Sequence, residues 1–382
     1  MSSEYVTMYA EDYVKKNNKI IFIAKNYNLL CSYDLERREM EVLDSMPEEE
    51  ICISRVGAKI LAWKDELILS PMLADKIWRY NLNTKEWIGY PRKRIGDPSI
   101  SQDMFQAVLY DDKCFFIGSN YPAIVCLDLI TDQVTYNTEP YQRLEKKKKE
   151  MKDSFFRCDY VQNGSAIYLA SCLDNYVLRF QMSDGSYEWI KVGEEGNRYS
   201  GITKIGDDFW LAPRCNTNLV RWDGKSLVTE YELPEGFADH TLNFHGCVYD
   251  GKQLILPALL NPYSLYVTLD PEVCMEKREE SYSFLKKLDT DRVIGQYASG
   301  TFFVSEPDGE RTEYEFTLDK RKIAALAKQD PQRFFSTNRT IYESNYFDLD
   351  SFVLAISNQN QRTVTEEAQK GIGKEIWEKY RN

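Results

Sequence analysis

The sequence is nearly devoid of histidine. Only His240 and His245 occur in 382 residues, which removes most of the stock from which metal sites and general acid/base pairs are drawn. Any chemistry would fall to Glu, Asp, Tyr or Cys. No Cys-x-x-Cys pair occurs, and the nine cysteines mostly sit in apolar runs such as Lys113-Cys-Phe-Phe-Ile117. An odd number of scattered thiols reads as small buried hydrophobes in a reducing compartment. Long apolar runs are missing, and Met-Ser-Ser-Glu-Tyr-Val at the start lacks a basic segment with an apolar stretch behind it. The expectation is therefore a cytoplasmic protein with no membrane partner. Positive charge is short too: 48 Lys and Arg stand against 60 Asp and Glu, a net charge of −12. Such a field repels phosphate backbones, so nucleic acid is not an expected partner. Gly-rich phosphate loops, Gly-x-Ser-x-Gly and His-Glu-x-x-His are all absent, and no cofactor or metal is expected.

Repetition is abundant. A short apolar run closing in an acidic or amide residue recurs as Cys-Ser-Tyr-Asp34, Trp-Arg-Tyr-Asn81, Val-Cys-Leu-Asp128, Leu-Arg-Phe-Gln181, Val-Arg-Trp-Asp223, Tyr-Val-Thr-Leu-Asp270 and Glu-Phe-Thr-Leu-Asp319. The successive spacings are 47, 47, 53, 42, 47 and 49. A period near 47 suits a four-stranded propeller blade and is too long for leucine-rich or ankyrin units. The third copy shows the internal order: Gln106–Tyr110, Cys114–Ile117, Ala123–Leu129 and Gln133–Tyr136 read as strands, with Asp111-Asp112 and Thr131-Asp132 as turns. Val, Ile, Tyr, Phe and Trp in the copies, with Asp, Asn and Gly between them, favour strands over an armadillo-like helical solenoid. The fold expected is all-β, a seven-bladed β-propeller over residues 1–320, with six blades as the alternative.

Two stretches break the pattern. Tyr141–Asp153, with its Lys146–Lys149 run between glutamates, falls where the period lengthens and reads as a helical or irregular insertion with a solvated lysine face. Residues 321–382 read as a largely helical extension. Lys322–Lys328 and Thr365–Tyr380 have helical character, and Thr363 with Glu366 can form a capping box. In the seventh copy Arg321–Leu326 stands where an outer strand is due, so residues Glu4–Met8 are expected to supply that strand and close the ring.

The endings Tyr80-Asn-Leu-Asn-Thr-Lys-Glu-Trp87 and Phe180-Gln-Met-Ser-Asp-Gly-Ser-Tyr-Glu-Trp189 resemble those of Kelch and galactose-oxidase-like β-propellers. Tyr199-Ser-Gly-Ile-Thr and Phe209-Trp-Leu-Ala-Pro-Arg214 are similar to cytoplasmic Kelch-like propellers of Firmicutes. The resemblance covers about residues 5–320, but the double glycine of the Kelch second strand is absent from every copy. A copper site of the oxidase kind is not expected, because both histidines lie five residues apart in one blade.

The resemblance implies that ligands meet the face built from second-to-third strand loops and the starts of the inner strands. The candidates there are Tyr27, Tyr121, Arg157, Tyr199, Arg214, His245, Tyr263 and Arg292. Tyrosine faces with arginine forks suit a glycan or an acidic protein segment. The expected function is non-catalytic binding of such a ligand, which the resemblance links to bacterial surface polysaccharide. The alternative is a sugar-active enzyme, a lyase or glycosidase, using carboxylates drawn from Glu11, Asp12, Asp75, Asp174, Asp291, Glu306 and Asp308.

Overall fold

The computed structural model describes residues 4–329 except 52, 97–101, 158, 217, 238–241, 290–291 and 307–308, and also describes 333. Thr365–Tyr380, the Thr363 capping box, His240, Asp291 and Asp308 lie outside the described residues. Seven four-stranded antiparallel sheets follow one another along the chain, spanning residues 10–44, 57–91, 106–137, 161–191, 199–232, 248–278 and 282–315. Each sheet keeps its strands in sequence order. The protein is a seven-bladed β-propeller.

Second strands such as Lys19–Ala24 are almost wholly buried, because a neighbouring blade covers each face. They accordingly read as continuous apolar runs. Outer strands such as Glu39–Asp44 alternate instead, with one side in water. The core lies between blades. One cluster joins Ile21, Ile23 and Leu30 of blade one to Ile60, Leu67 and Leu69 of blade two, and others repeat this arrangement around the ring.

The recurring acidic or amide residue has a physical task. Asp34, Asn81, Asp128 and Asp223 each accept, through the side-chain oxygen, the backbone N–H groups two and three residues on. They thereby build the turn from third to fourth strand, as short Asp and Asn side chains do. The seventh copy is out of phase. The third strand of blade seven is Thr301–Ser305, whereas Asp319 ends a separate strand, Thr317–Asp319, and accepts the Arg321 N–H.

Blade seven therefore lacks no strand. Tyr5–Thr7 pairs antiparallel with Thr317–Asp319 as an additional ribbon, so the chain ends are tied together, though not within blade seven's own sheet. Two helices, α1 (Glu139–Gln142) and α2 (Glu145–Met151), form the insertion between blades three and four. Its lysine run is not wholly solvated: Lys148 is buried and donates to Asn120 and to the Asp153 carbonyl. A third helix, α3 (Lys320–Gln329), follows the ribbon. Among the described residues no helix is long and apolar enough to cross a membrane.

Candidate functional site

The inner strands begin on the face that carries the second-to-third loops, and four of them begin with a bulge. The register shifts between Ala10 and Asp12, Gly57 and Lys59, Tyr199 and Gly201, and Tyr282 and Phe284. The extra residues are Glu11, Ala58, Ser200 and Ser283. A bulge breaks the pleat and re-aims a side chain, and Glu11, Ala58 and Ser283 all line one narrow pocket at the channel mouth. Phe105, Gln106, Asp159 and His245 share its wall, around a volume of about 50 Å3. That is room for one small functional group.

Polar atoms are left over at this mouth. Glu11 Oε2, Gln106 Oε1, Arg157 Nε and Ser283 Oγ are buried without a hydrogen-bond partner. Leaving a buried donor or acceptor unpaired costs about 1–3 kcal/mol each, so four together are an unusual concentration for a merely structural region. Arg157 stands over the Phe105 ring, 5.4 Å from its centroid, and its carbonyl accepts from Gln106 Nε2 at 3.2 Å. The Gln106 side chain is thus tied to the Arg157 backbone, and the Arg157 side chain to the Phe105 ring, across blades three and four.

Burial drives the His245 pKa down to about 4, and the Arg157 charge adds to this while Glu11 opposes it. The imidazole is therefore neutral at pH 7. An NMR titration should show His245 unprotonated from pH 8 to about 5, and protonation near pH 6.5 would contradict this environment. The folded pKa lies below the unfolded one, so this group's stabilisation is present above about pH 6.5 and fades as pH falls toward 4.

The two carboxylates of the mouth differ. Asp159 Oδ2 accepts the Cys247 N–H at 2.8 Å, and it lies where a Cβ on Gly201 or Gly246 would approach within 2.3 Å or 2.2 Å. It is packed into the channel wall and braces blades four, five and six. Glu11 keeps a free oxygen. Asp12, next to it, faces the channel wall, where its carboxylate takes Lys286 at 2.5 Å and Lys59 at 3.6 Å.

Of the eight candidate residues, Arg157 and His245 come together at the mouth. Tyr27, Tyr121 and Tyr199 do not: each is essentially buried in an interblade core. The Tyr121 hydroxyl donates to the Lys93 carbonyl at 2.6 Å and that of Tyr199 to the Val192 carbonyl at 2.5 Å. Their rings offer no face to a ligand, because each loop tyrosine folds back over its own blade junction. Arg214 is buried against Asp153 in a two-pronged pair at 2.8 and 3.1 Å, which pins the blade-five loop to the chain after α2. Burial pushes the Asp153 carboxyl up, yet Arg214 outweighs it and the pKa ends below the ordinary value. Tyr263 is half-buried on the blade-six loop beneath the Lys277 ammonium, 5.3 Å away. Arg292 lies on the opposite face, in the turn from first to second strand of blade seven, paired with Asp289 and near Glu306. The out-of-phase seventh copy explains that misplacement.

Gln106 stands at the inner-strand start where the repeat alignment puts it, whereas sequence reasoning missed Ser283 and Phe105 as mouth residues. For Ser283 the signal was a small polar residue breaking the strand alternation just where an inner strand begins. Among the described residues, no three His, Cys, Asp or Glu side chains gather as a metal-ligating group.

Searches against family models and against curated proteins give no match. Solved structures do resemble the chain. Virginiamycin B lyase from Staphylococcus aureus, a catalytically inactive histidine-to-alanine variant with quinupristin, has a TM-score of 0.53 at 12% identity, covering 82% of this chain and 97% of that one. BamB from Moraxella catarrhalis has a TM-score of 0.52 at 10% identity, covering 82% and 91%. PorZ of Porphyromonas gingivalis, a surface component of the type-IX secretion system, has a TM-score of 0.53 at 9% identity, covering 82% and 39%. At these identities the likeness shows the β-propeller fold and nothing finer.

Proposed function

We propose that this propeller is a non-catalytic binding module that takes a glycan or a protein segment at its loop face. The observation that carries this is the set of four unpaired buried atoms at the mouth. Glu11 and Gln106 can accept, Arg157 can donate, and Ser283 can do both. A group that donates and accepts at once satisfies them, and sugar hydroxyls and amides do so. The pocket volume of about 50 Å3 admits one such group while the rest of the ligand lies on the loops. Tyrosine stacking has no part in this reading. Within it, the chain is a cytoplasmic, Kelch-like propeller of bacterial origin linked to surface-polysaccharide metabolism, with the propeller ending near residue 320 and 321–382 as an extension.

Arrays of glycans and of peptides should give a ligand whose affinity falls roughly tenfold or more in Arg157→Ala, since a hydrogen bond to a charged group contributes about 1.5–3 kcal/mol. Arg292→Ala, on the far face, should leave it unchanged. A ligand indifferent to both Arg157→Ala and Glu11→Gln would remove this reading.

One observation favours a second reading. Glu11 and the neutral His245 line the same pocket, a base and a carboxylate within one mouth, as an enzyme moving a proton needs. Two-carboxylate glycoside cleavage is less well served, since Asp159 is already engaged by the Cys247 N–H. Turnover of any ligand, lost in His245→Ala, would select the enzyme.

A further inference from the structure

Below the mouth the channel widens to about 620 Å3. All of its lysines lie on one side, interleaved with apolar residues such as Val14 and Leu285. Blades seven, one and two, which are adjacent in the ring, contribute Lys286, Lys287, Lys15 and Lys59. Blades four to six contribute Tyr160, Ile202, Thr203, Val248 and Tyr249 on the other side. Four lysines thus share this wall with only two acidic residues, Asp12 and Asp159, inside a chain whose net charge is −12.

Those two carboxylates do not neutralise the arc. Asp12 is shared: one oxygen takes Lys286 at 2.5 Å, and the other takes the Ile60 N–H at 2.9 Å and stands 3.6 Å from Lys59. The Lys59 ammonium is too far for a hydrogen bond to it. Asp159 is engaged by Cys247 on the opposite wall. Among the described residues, no carboxylate lies within 4 Å of the Lys15 or Lys287 ammonium group. Lysines are compact point charges with rotatable donors, which suits a phosphoryl group more than a planar carboxylate fork. The facing Tyr, Ile and Val side chains suit an apolar or ring-bearing remainder. Field lines from clustered charge are focused by such low-dielectric walls.

We infer that the central channel binds a small phosphate-bearing molecule, with its phosphoryl group on the arc formed by Lys15, Lys59, Lys286 and Lys287. This site adjoins the mouth, sharing Gln106, Asp159 and Lys286 with its wall, but rests on the lysine arc and not on the reading given above.

Inorganic phosphate is the probe. Thermal unfolding of the full chain should shift upward saturably with phosphate, beyond the shift given by chloride at equal ionic strength. In Lys15→Gln/Lys287→Gln, which removes two exposed side chains and leaves the Asp12 pairing whole, the half-saturating phosphate concentration should rise fivefold or more. Arg157→Ala should keep the phosphate response, so failure at the mouth and failure in the channel are distinguishable. Citrate serves as the carboxylate arm. A phosphate effect no greater than chloride, an effect unchanged in the double variant, or stabilisation by citrate alone would each overturn the assignment.

Discussion

Asp12→Asn should lower the stability of the propeller by about 3 kcal/mol, the low end for breaking a buried ion pair, and the melting temperature by roughly 6 °C for a domain of this size. The carboxylate is almost fully buried, while its partners Lys59 and Lys286 retain 17% and 26% of their side-chain exposure. Removing the anion leaves two ammonium groups facing each other with little solvent to screen them. The damage falls on the ring seam, because Lys286 belongs to blade seven, Asp12 to blade one, and Lys59 and the Ile60 N–H to blade two. Burial alone would push the Asp12 pKa up, yet the charges of Lys286 and Lys59, with hydrogen bonds from Lys286 and the Ile60 N–H, bring it below the ordinary carboxylate value. A depressed carboxylate stabilises the fold above the unfolded pKa near 4 and ceases to do so as pH falls through the folded value. The gap between wild type and Asp12→Asn should therefore be full at pH 7 and shrink below about pH 4. Calorimetry at the two pH values checks this, and equal melting at pH 7 would show that the lysines find other partners. The substitution should also strengthen the phosphate response, since it leaves the channel more positive.

The strand count and the period were legible because each repeat closes with a residue that has a local task. Asp34, Asn81, Asp128 and Asp223 cap a turn within three residues of themselves, and local hydrogen bonding leaves a trace in sequence. The seventh copy misled for the same reason. Asp319 also captures a neighbouring N–H, that of Arg321, but at the start of α3 and outside any blade. That one phase error carried Arg292 to the wrong face. The tyrosines misled differently. Asn26-Tyr27 and Asn120-Tyr121 do recur at one loop position, but the recurrence reflects a packing need: the asparagines bond to nearby chain, and the rings fill the blade junctions. A repeated aromatic is as much a mark of a repeated core as of a binding ring. The mouth was legible in part: Glu11, Gln106, Arg157 and His245 follow from the alignment of inner-strand starts, whereas Ser283 enters through a bulge in blade seven, the one copy whose phase the repeat pattern misplaces.

Deleting residues 1–9 should cost about 5 kcal/mol, the sum of a buried methionine and several backbone hydrogen bonds, with a fall of roughly 10 °C or more in melting temperature. Met8 is fully buried. Its N–H donates to the Phe316 carbonyl at 2.7 Å, and its own carbonyl accepts from Gln296 Nε2 at 2.8 Å. Just before it, Val6 faces Leu318 in the ribbon, and the Glu4 carbonyl takes the Lys320 N–H at 3.0 Å. These contacts hold Phe316 in place. Its ring stacks 3.7 Å from Phe302 of blade seven and 5.2 Å from Phe22 of blade one, with Tyr33 at 4.5 Å. The ring is therefore closed by an aromatic plug wedged between the first and last blades, and the N-terminal strand is what seats it. Without that strand Thr317–Asp319 becomes an unpaired edge, and Phe316 loses its cover, which invites association between copies. Met8→Ala alone should reproduce about 2–3 kcal/mol of the loss. Thermal melts of the two variants, with light scattering to follow association, test the argument. Were the deletion to melt with the wild type, the Gln296–Ala10 and Lys286–Asp12 bonds would suffice to close the ring, and the ribbon would be ornamental.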